Sequence, residues 1–309
     1  MTVGIGVMCE YGDCIVIASD MRASYCGMAV DPHDRTGKQY VFAPFNFSAA
    51  IAGSTSSTHA IVSELCTYLK EYIKAQQKQP EVVMVLEHMR NALEYSRKKE
   101  LRRLQNCEMQ LQLGCTLNDW LTGKLPTGDP INGYAVREGM RVLKGVREAF
   151  RSKVGIILAG FLQTGPVFLR GLGFEPVEDA ASPAIYVIGG KGAVEAFQVL
   201  ITRKQNVEMS LARTVLHVFE ALKAAKIDEG VGDPASYVVM RPWNVPTPHG
   251  MQRLDSEHPL LKQWSKTYRL RDTEPLDLPM AKTLIEGALF VEKVKRSQWL
   301  GPQTLMREL

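Results

Sequence analysis

Short apolar runs bounded by turn residues alternate along this chain with longer amphipathic segments. Val3–Cys9 is rich in β-branched residues, and Cys14–Asp20 is almost continuously apolar. The polar residues 10–13 between them have the composition of a tight turn. The pattern predicts a β-hairpin whose second strand is buried on both faces.

The same alternation continues downstream. A second hairpin is predicted from residues 38–42 and 47–52, with Pro44 and Asn46 in the connection. The hydroxyl-rich residues 54–58 then offer N-caps to a helix that carries Ile61, Leu65 and Leu69 on one face. Further elements are a helix from Pro80 past Arg103, a hairpin of 154–162 with 167–170, a strand at 185–188, helices at 193–202 and 210–225, and a strand at 236–240.

This order of strands, two helices, strands, two helices and a final strand favours an α+β protein. Two sheets that pack on each other and carry helices outside would form a four-layer αββα sandwich. We therefore predict one domain over residues 2–242 and a proline-rich C-terminal extension over 243–309, with one helix at 280–295. Residues 77–152 form an unusually long helical and loop segment within the domain.

The sequence makes a specific structural prediction for two parts of this long segment. The glycines and prolines between 114 and 152 predict a long loop, with a short helix at 137–150. The charged run at 97–103 (RKKELRR) is interpreted as the solvated face of a long helix rather than as a surface for an acidic partner.

The composition of the chain argues against several functional classes. The chain of 309 residues has a net charge of +4, too small for a dedicated nucleic-acid binder. Its six cysteines form no CxxC pair and its six histidines have no metal-ligand spacing, so no metal site is expected. No apolar run approaches the roughly 18 residues of a membrane span, and no secretory pattern opens the chain. We expect a cytoplasmic protein with no membrane association.

The candidate chemistry begins at Thr2, directly after Met1. Removal of Met1 would leave a free α-amine beside the Thr2 hydroxyl, and such an amine can act as the base for its own residue's oxygen. Other catalytic schemes have weaker support: no GxSxG motif occurs, and the Gly-Gly-Lys-Gly segment at 189–192 lacks the spacing of a phosphate-binding loop.

Thr2, the Ser-Asp-Met-Arg-Ala segment at 19–23, Lys38 with Pro44, and Gly53 with Ser54 stand in an order and spacing that resemble the catalytic β-subunits of the proteasome and its bacterial relatives. These belong to the N-terminal-nucleophile (Ntn) hydrolases. The resemblance covers residues 2–76 well and 153–241 more loosely. It implies the four-layer Ntn-hydrolase fold, threonine-type endopeptidase activity without a cofactor, and copies of the chain in a stacked ring. Peptides or unfolded proteins would be the substrate, and a regulatory cap is a further partner in such assemblies.

The resemblance also implies roles for individual residues. Thr2 would be the nucleophile, Lys38 would lower the proton affinity of its oxygen, and Asp20 would orient Lys38. The Gly53 N–H would face the developing oxyanion at a helix start, and Asp228 would support the site. The pocket for the residue before the cut, of mainly apolar preference, would be lined by Ala23, Thr36, Tyr40, Ile51, Thr55 and His59.

The chain departs from the family pattern at two places that surround the terminal amine. Gly190 and Lys191 stand where the family has serine and its neighbour, and Val231 replaces a serine after Asp228. Ordinary structural roles stay open for the site residues, such as strand residue for Thr2, surface lysine for Lys38 and turn residue for Asp228. Two other functions also stay open: a non-catalytic proteasome-like subunit and an Ntn amidase that acts on a small molecule.

Overall fold

In a computed structural model, most of the chain up to residue 254 is described. The described residues are 3–20, 23–25, 28–30, 38–42, 46–76, 86–162, 165–173, 175–179, 185–189, 191–226, 235–242, 251–254 and the single positions 259, 261 and 264.

The first sheet contains five antiparallel strands in the order β10-β1-β2-β11-β12. Its bounds are β1 Val3–Cys9, β2 Cys14–Asp20, β10 Ile185–Gly189, β11 Ala235–Met240 and β12 Met251–Leu254. The β1–β2 hairpin has the predicted bounds, and its register places Gly4 opposite Ser19 and Cys9 opposite Cys14. β11 pairs with the other side of β2, so that Ala235 lies opposite Asp20.

The second sheet also has five antiparallel strands, in the order β5-β6-β7-β8-β9. Its bounds are β5 Gln39–Phe42, β6 Phe47–Gly53, β7 Val154–Leu162, β8 Gly165–Leu172 and β9 Glu178–Asp179. Both predicted hairpins in this part of the chain are confirmed. A separate two-stranded ribbon is formed by β3 Ala23–Tyr25 and β4 Met28–Val30, which the sequence pattern did not predict.

Among the residues that the structure describes, six α-helices accompany these strands: α1 Thr55–Gln76, α2 Leu86–Leu113, α3 Leu117–Thr122, α4 Gly133–Lys153, α5 Lys191–Thr202 and α6 Leu211–Ala225. Two of these helices begin after capping side chains: Ser210 accepts from the Arg213 N–H at the start of α6, and Asn132 accepts from the Ala135 N–H at the start of α4. The chain is therefore an α+β protein with two antiparallel sheets.

Four apolar clusters hold the described elements together, one of them a small cluster of α2, α3 and α4 around Met109, Cys115 and Val142. Of the other three, one joins a face of the first sheet to α5 and α6, and another joins a face of the second sheet to α1 and α2. The third cluster contains side chains from both sheets, with Phe168 of β8 stacked on Tyr186 of β10 at 5.1 Å between ring centroids. A Cβ added at Gly6 would lie 2.7 Å from the Phe168 ring, so glycine is required where the two sheets come this close.

The segment between α2 and β7 differs from the expectation. Residues 114–152 are not a long loop with a short helix, because α3 and the 21-residue α4 occupy most of them. The glycines and prolines that favoured a loop are concentrated in the short connection at 123–133. Inside α4, a Cβ at Gly139 would lie 2.1 Å from the Trp120 indole nitrogen, so this glycine serves packing rather than a turn. Trp120 also donates to the Ala135 carbonyl at 3.1 Å.

The charged run at 97–103 is only partly a solvated helix face. Arg97 is 3% exposed, and its guanidinium donates to the carbonyls of Leu172, Gly173 and Glu175 just after β8. The run therefore includes one residue that ties α2 to the second sheet. Beyond residue 243, β12 pairs with β11, and Leu261 and Trp264 are buried in the cluster with α5 and α6. The proposed boundary at 242 stays a prediction.

His217 in α6 gives a prediction about stability and pH. Burial, together with the charges of Arg203 and Arg213, lowers the pKa of His217 to about 4, and its Nδ1 contacts the Gln205 amide oxygen at 2.8 Å. The unfolded chain binds this proton near pH 6.5, so the neutral histidine stabilises the fold above that pH. Acidification from about pH 7 to pH 4 should lower the free energy of unfolding by roughly 2–3 kcal/mol from this group.

Urea unfolding measured across this pH range would test the expectation. Replacing His217 with glutamine should flatten the pH dependence, because glutamine does not titrate. An unchanged slope in His217→Gln would contradict the assignment.

Candidate active site

The carboxylate of Asp20 joins the start of β1 to Lys38, which directly precedes β5. Asp20 ends β2, and its Oδ1 accepts from the backbone N–H of Val3 at 2.8 Å. Its Oδ2 lies 3.1 Å from the Lys38 ammonium. Val3 N is covalently bonded to the carbonyl carbon of Thr2, so the same carboxylate holds both the Thr2–Val3 peptide and the lysine.

Lys38 is buried at the edge of the second sheet, and only 4% of it is exposed. Its carbonyl accepts from the Ile51 N–H at 2.9 Å, which fixes the lysine just before β5. The surface-lysine alternative is therefore wrong. Because an isolated buried charge is costly, the ion pair with Asp20 explains how the lysine is accommodated between the two sheets.

Gly53 lies at the C-terminal end of β6, immediately before Ser54 and α1. Its φ of +106° is a conformation that side-chain-bearing residues rarely adopt, so a glycine is needed there. Gly53 is exposed, unlike the rest of β6, and it lies opposite Val154 of β7. A backbone N–H at this junction is close to the unpaired N–H groups of the first helical turn, which favour negative charge.

Part of the predicted specificity pocket is brought together on the next turn of α1. The Tyr40 hydroxyl contacts His59 Nδ1, and the two rings meet edge to face at 5.5 Å between centroids. Tyr40 and Ile51 are buried in the same apolar cluster. Burial raises the pKa of Tyr40 and lowers that of His59, so both groups are neutral near pH 7. This pocket wall is apolar in character and carries no charge.

The remaining candidates are placed less completely. Ala23 opens β3 and Thr55 opens α1, with only their backbones described. Thr2, Thr36 and Asp228 lie outside the described residues, as do Gly190 and Val231. The roles suggested for them stay predictions.

Gln39 is a site residue that the sequence reasoning missed. It follows Lys38 directly, is 6% exposed, and donates from Nε2 to the Ile17 carbonyl at 2.9 Å. Ile17 belongs to β2 and Gln39 to β5, so this bond fastens the strand next to Lys38 to the strand that carries Asp20. Nothing in the sequence pattern indicated it, because the two residues are 22 positions apart.

The arrangement can support nucleophilic chemistry at the start of β1. A buried ammonium stabilises a developing alkoxide nearby, and an oriented backbone N–H at a helix start stabilises an oxyanion. The described part of the site contains both kinds of group at the same end of the β5–β6 pair, because Lys38 directly precedes β5 and Gly53 ends the antiparallel β6. Within the described part of the chain, no set of three or more histidine, cysteine, aspartate or glutamate residues is arranged to hold a metal ion.

Comparisons with known proteins bear on the fold. The solved structure of a Gly-1 mutant of Anbu from Hyphomicrobium sp. strain MC1 is similar to this chain, with a TM-score of 0.54 and 13% identity. The alignment covers 96% of this chain and 100% of that chain. No protein-family model and no curated protein sequence matches. At this identity the likeness shows a shared fold. None of the helices in the described ranges combines the length and apolar character that a bilayer crossing requires.

Proposed function

We propose that this chain is a proteasome-like threonine endopeptidase that cuts peptide bonds through an acyl-enzyme on Thr2. The observation that carries the proposal is the Asp20 carboxylate, which binds both the Val3 N–H and the Lys38 ammonium inside the protein. A buried lysine tethered to the residue after a potential N-terminal nucleophile is the arrangement that this mechanism needs. The fold shared with the Anbu structure supports the proposal.

In the proposed reaction the Thr2 α-amine accepts the proton of the Thr2 hydroxyl as its oxygen attacks the scissile carbonyl. The C–O bond forms, the carbonyl oxygen becomes an oxyanion, and the Gly53 N–H stabilises it. The protonated amine then gives the proton to the leaving amine of the substrate, and the C–N bond breaks. Water hydrolyses the resulting ester and regenerates Thr2. Asp228 would support the terminal amine.

The assembly proposed with this activity is a stacked ring of copies of the chain, enclosing the sites. The described elements would then form the four layers α5/α6, first sheet, second sheet and α1/α2. Peptides or unfolded proteins would be the substrates, with a regulatory cap as a further partner. We place the protein in the cytoplasm, where thiols stay reduced, in keeping with five free cysteines in the described part of the chain.

The mass of the purified protein and its peptidase activity test the proposal together. We expect the N-terminal peptide to lack Met1, and fluorogenic peptides with a mid-sized apolar residue before the cut to be hydrolysed. Negative-stain microscopy of the same sample should show ring-shaped particles.

Each alternative function has its own outcome in this experiment. Met1 retained at full occupancy, with rings but no hydrolysis, would identify a non-catalytic structural subunit. Removal of Met1 in a monomer or dimer that cleaves only small amides would identify a small-molecule amidase.

A further inference from the structure

A cavity of about 510 Å³ lies between the start of α1, the last third of α2 and the second half of α4. Two of its three walls therefore come from the long helical segment between α1 and β7. Its volume falls within the range of ordinary ligand pockets, roughly 300–1,000 Å³. Neither the resemblance nor the site residues discussed above assigned a role to this space.

The cavity begins next to the proposed oxyanion site. Ser54, which follows Gly53 directly, lines it, and so does Val154, which lies opposite Gly53 in the β6–β7 pairing. The hydroxyl of Ser54 also lies 3.2 Å from that of Ser56, which is another lining residue. The cavity thus begins one residue from Gly53, whose N–H is the proposed oxyanion donor.

It is nevertheless distinct from the pocket formed by Tyr40 and His59. None of Tyr40, Ile51 and His59 is among the residues that line the cavity. Ser57 lines it and is 5% exposed. The cavity and the Tyr40–His59 contact are therefore separate features near the start of α1.

The chemistry of the lining favours an uncharged, apolar occupant. Six of its side chains are apolar: Leu104, Val142, Val146, Ala149, Phe150 and Val154. The two charged lining residues already have local partners. Arg141 donates to Glu138 at 2.6 Å, and Glu108 accepts from Gln112 at 3.1 Å. Serine hydroxyls at the Gly53 end can bind peptide groups.

We infer that this cavity is a second specificity pocket, which receives a large aliphatic or aromatic side chain of the peptide substrate. The residue bound there is one other than the residue directly before the cut, which the Tyr40–His59 side takes. The inference rests on the proposed function and adds a role for the inserted helices. Aromatic side chains bury about 150–250 Å² each, enough to make such a pocket decisive for substrate choice.

Gly145 allows this pocket to be filled without disturbing the protein. It lines the cavity from within α4, and a Cβ added there would meet nothing within 4 Å. Gly145→Trp should therefore occupy the space, and Gly145→Leu should occupy part of it. Gly133, at the start of the same helix, is not among the lining residues and also has nothing within 4 Å of an added Cβ. Gly133→Trp is the matched control.

The experiment compares wild type and these variants on a fluorogenic peptide library in which each position is varied in turn. For wild type we expect a preference for large apolar residues at one position other than that before the cut. Gly145→Trp should lower kcat/KM for those substrates at least about tenfold and change the alanine-substituted peptide less than about twofold. Gly145→Leu should be intermediate, and Gly133→Trp should resemble wild type.

The outcomes separate this inference from the proposed function. Active enzyme whose positional preferences are the same in wild type and both folded Gly145 variants would overturn the pocket while leaving the peptidase function intact. Absence of hydrolysis in wild type would overturn the function. In that case, binding of the same peptides is measured by fluorescence polarisation. Weaker binding to Gly145→Leu or Gly145→Trp than to wild type would support the inference that the cavity receives a peptide side chain. Equal binding to all three proteins would overturn that inference. Thermal unfolding verifies that each variant is folded.

Discussion

Peptide hydrolysis should be lost when Thr2 is replaced by alanine, while the protein still folds and assembles. Alanine removes the hydroxyl together with the γ-methyl group, and its small size keeps the position suitable for Met1 removal. Catalytic groups that act as a unit lose most of their effect when the nucleophile is removed. We therefore expect kcat to fall by a factor on the order of 10⁴ or more. Fluorogenic peptide assays on purified Thr2→Ala, with the N-terminal mass determined on the same sample, measure this.

Thr2→Ser is the matched control for this variant. Serine keeps both the hydroxyl and the α-amine, so measurable hydrolysis should remain. Circular dichroism and particle size should be the same for both variants, because the Val3 N–H that Asp20 accepts is unchanged. Turnover of Thr2→Ala within tenfold of wild type would exclude Thr2 as the nucleophile.

The strands near the start were predictable because local signals decide them. β1 and β2 have the predicted bounds, since the turn residues 10–13 stop both strands and the second strand is continuously apolar. Their burial on both faces follows from the position of β1 and β2 between α6 and the second sheet. Periodicity also gave the start of α6, which Ser210 caps.

Elements that depend on distant partners were not predictable in this way. The four residues of β12 form a strand through pairing with β11, and the short β3–β4 ribbon lacks a distinctive apolar pattern. In α4, the glycines at 133, 139 and 145 lowered the apparent helix propensity, but tertiary packing around Trp120 outweighs that cost. The burial of Arg97 could not be predicted from its charged neighbours, because its carbonyl acceptors lie more than 70 residues away in the sequence.

The same distinction between local sequence signals and distant contacts applies to the site residues. The resemblance named Asp20 and Lys38, and the described structure pairs them. It did not indicate that the Val3 N–H shares the carboxylate, or that Gln39 fastens β5 to β2. Such contacts come from the register of two sheets, which short motifs do not encode. The roles of Thr2, Gly53 and Asp228 stay predictions.

The second large effect is expected from breaking the Asp20–Lys38 pair. The Lys38 and Asp20 side chains are 6% and 1% exposed, so removal of either takes an ion-pair contact away from a buried charge. Lys38→Met and Asp20→Asn should each lower the free energy of unfolding by about 3–5 kcal/mol. Asparagine can still accept from Val3 N–H, but its amide N–H groups cannot accept from the Lys38 ammonium. Both variants should also lose peptide hydrolysis, because neither keeps the charged pair on which the proposed mechanism depends.

The double variant Asp20→Asn/Lys38→Met separates the pairing from the general cost of each substitution. It contains neither buried charge, so its loss of stability should be smaller than the sum of the two single losses by roughly 2 kcal/mol or more. Urea unfolding of the four proteins measures this difference, and peptide assays on the same samples measure activity. A double variant that regains stability but not hydrolysis would assign the ion pair a role in catalysis beyond holding the sheets together. Strictly additive stability losses would mean that the two groups act independently, and the electrostatic tether proposed for Thr2 would then be wrong.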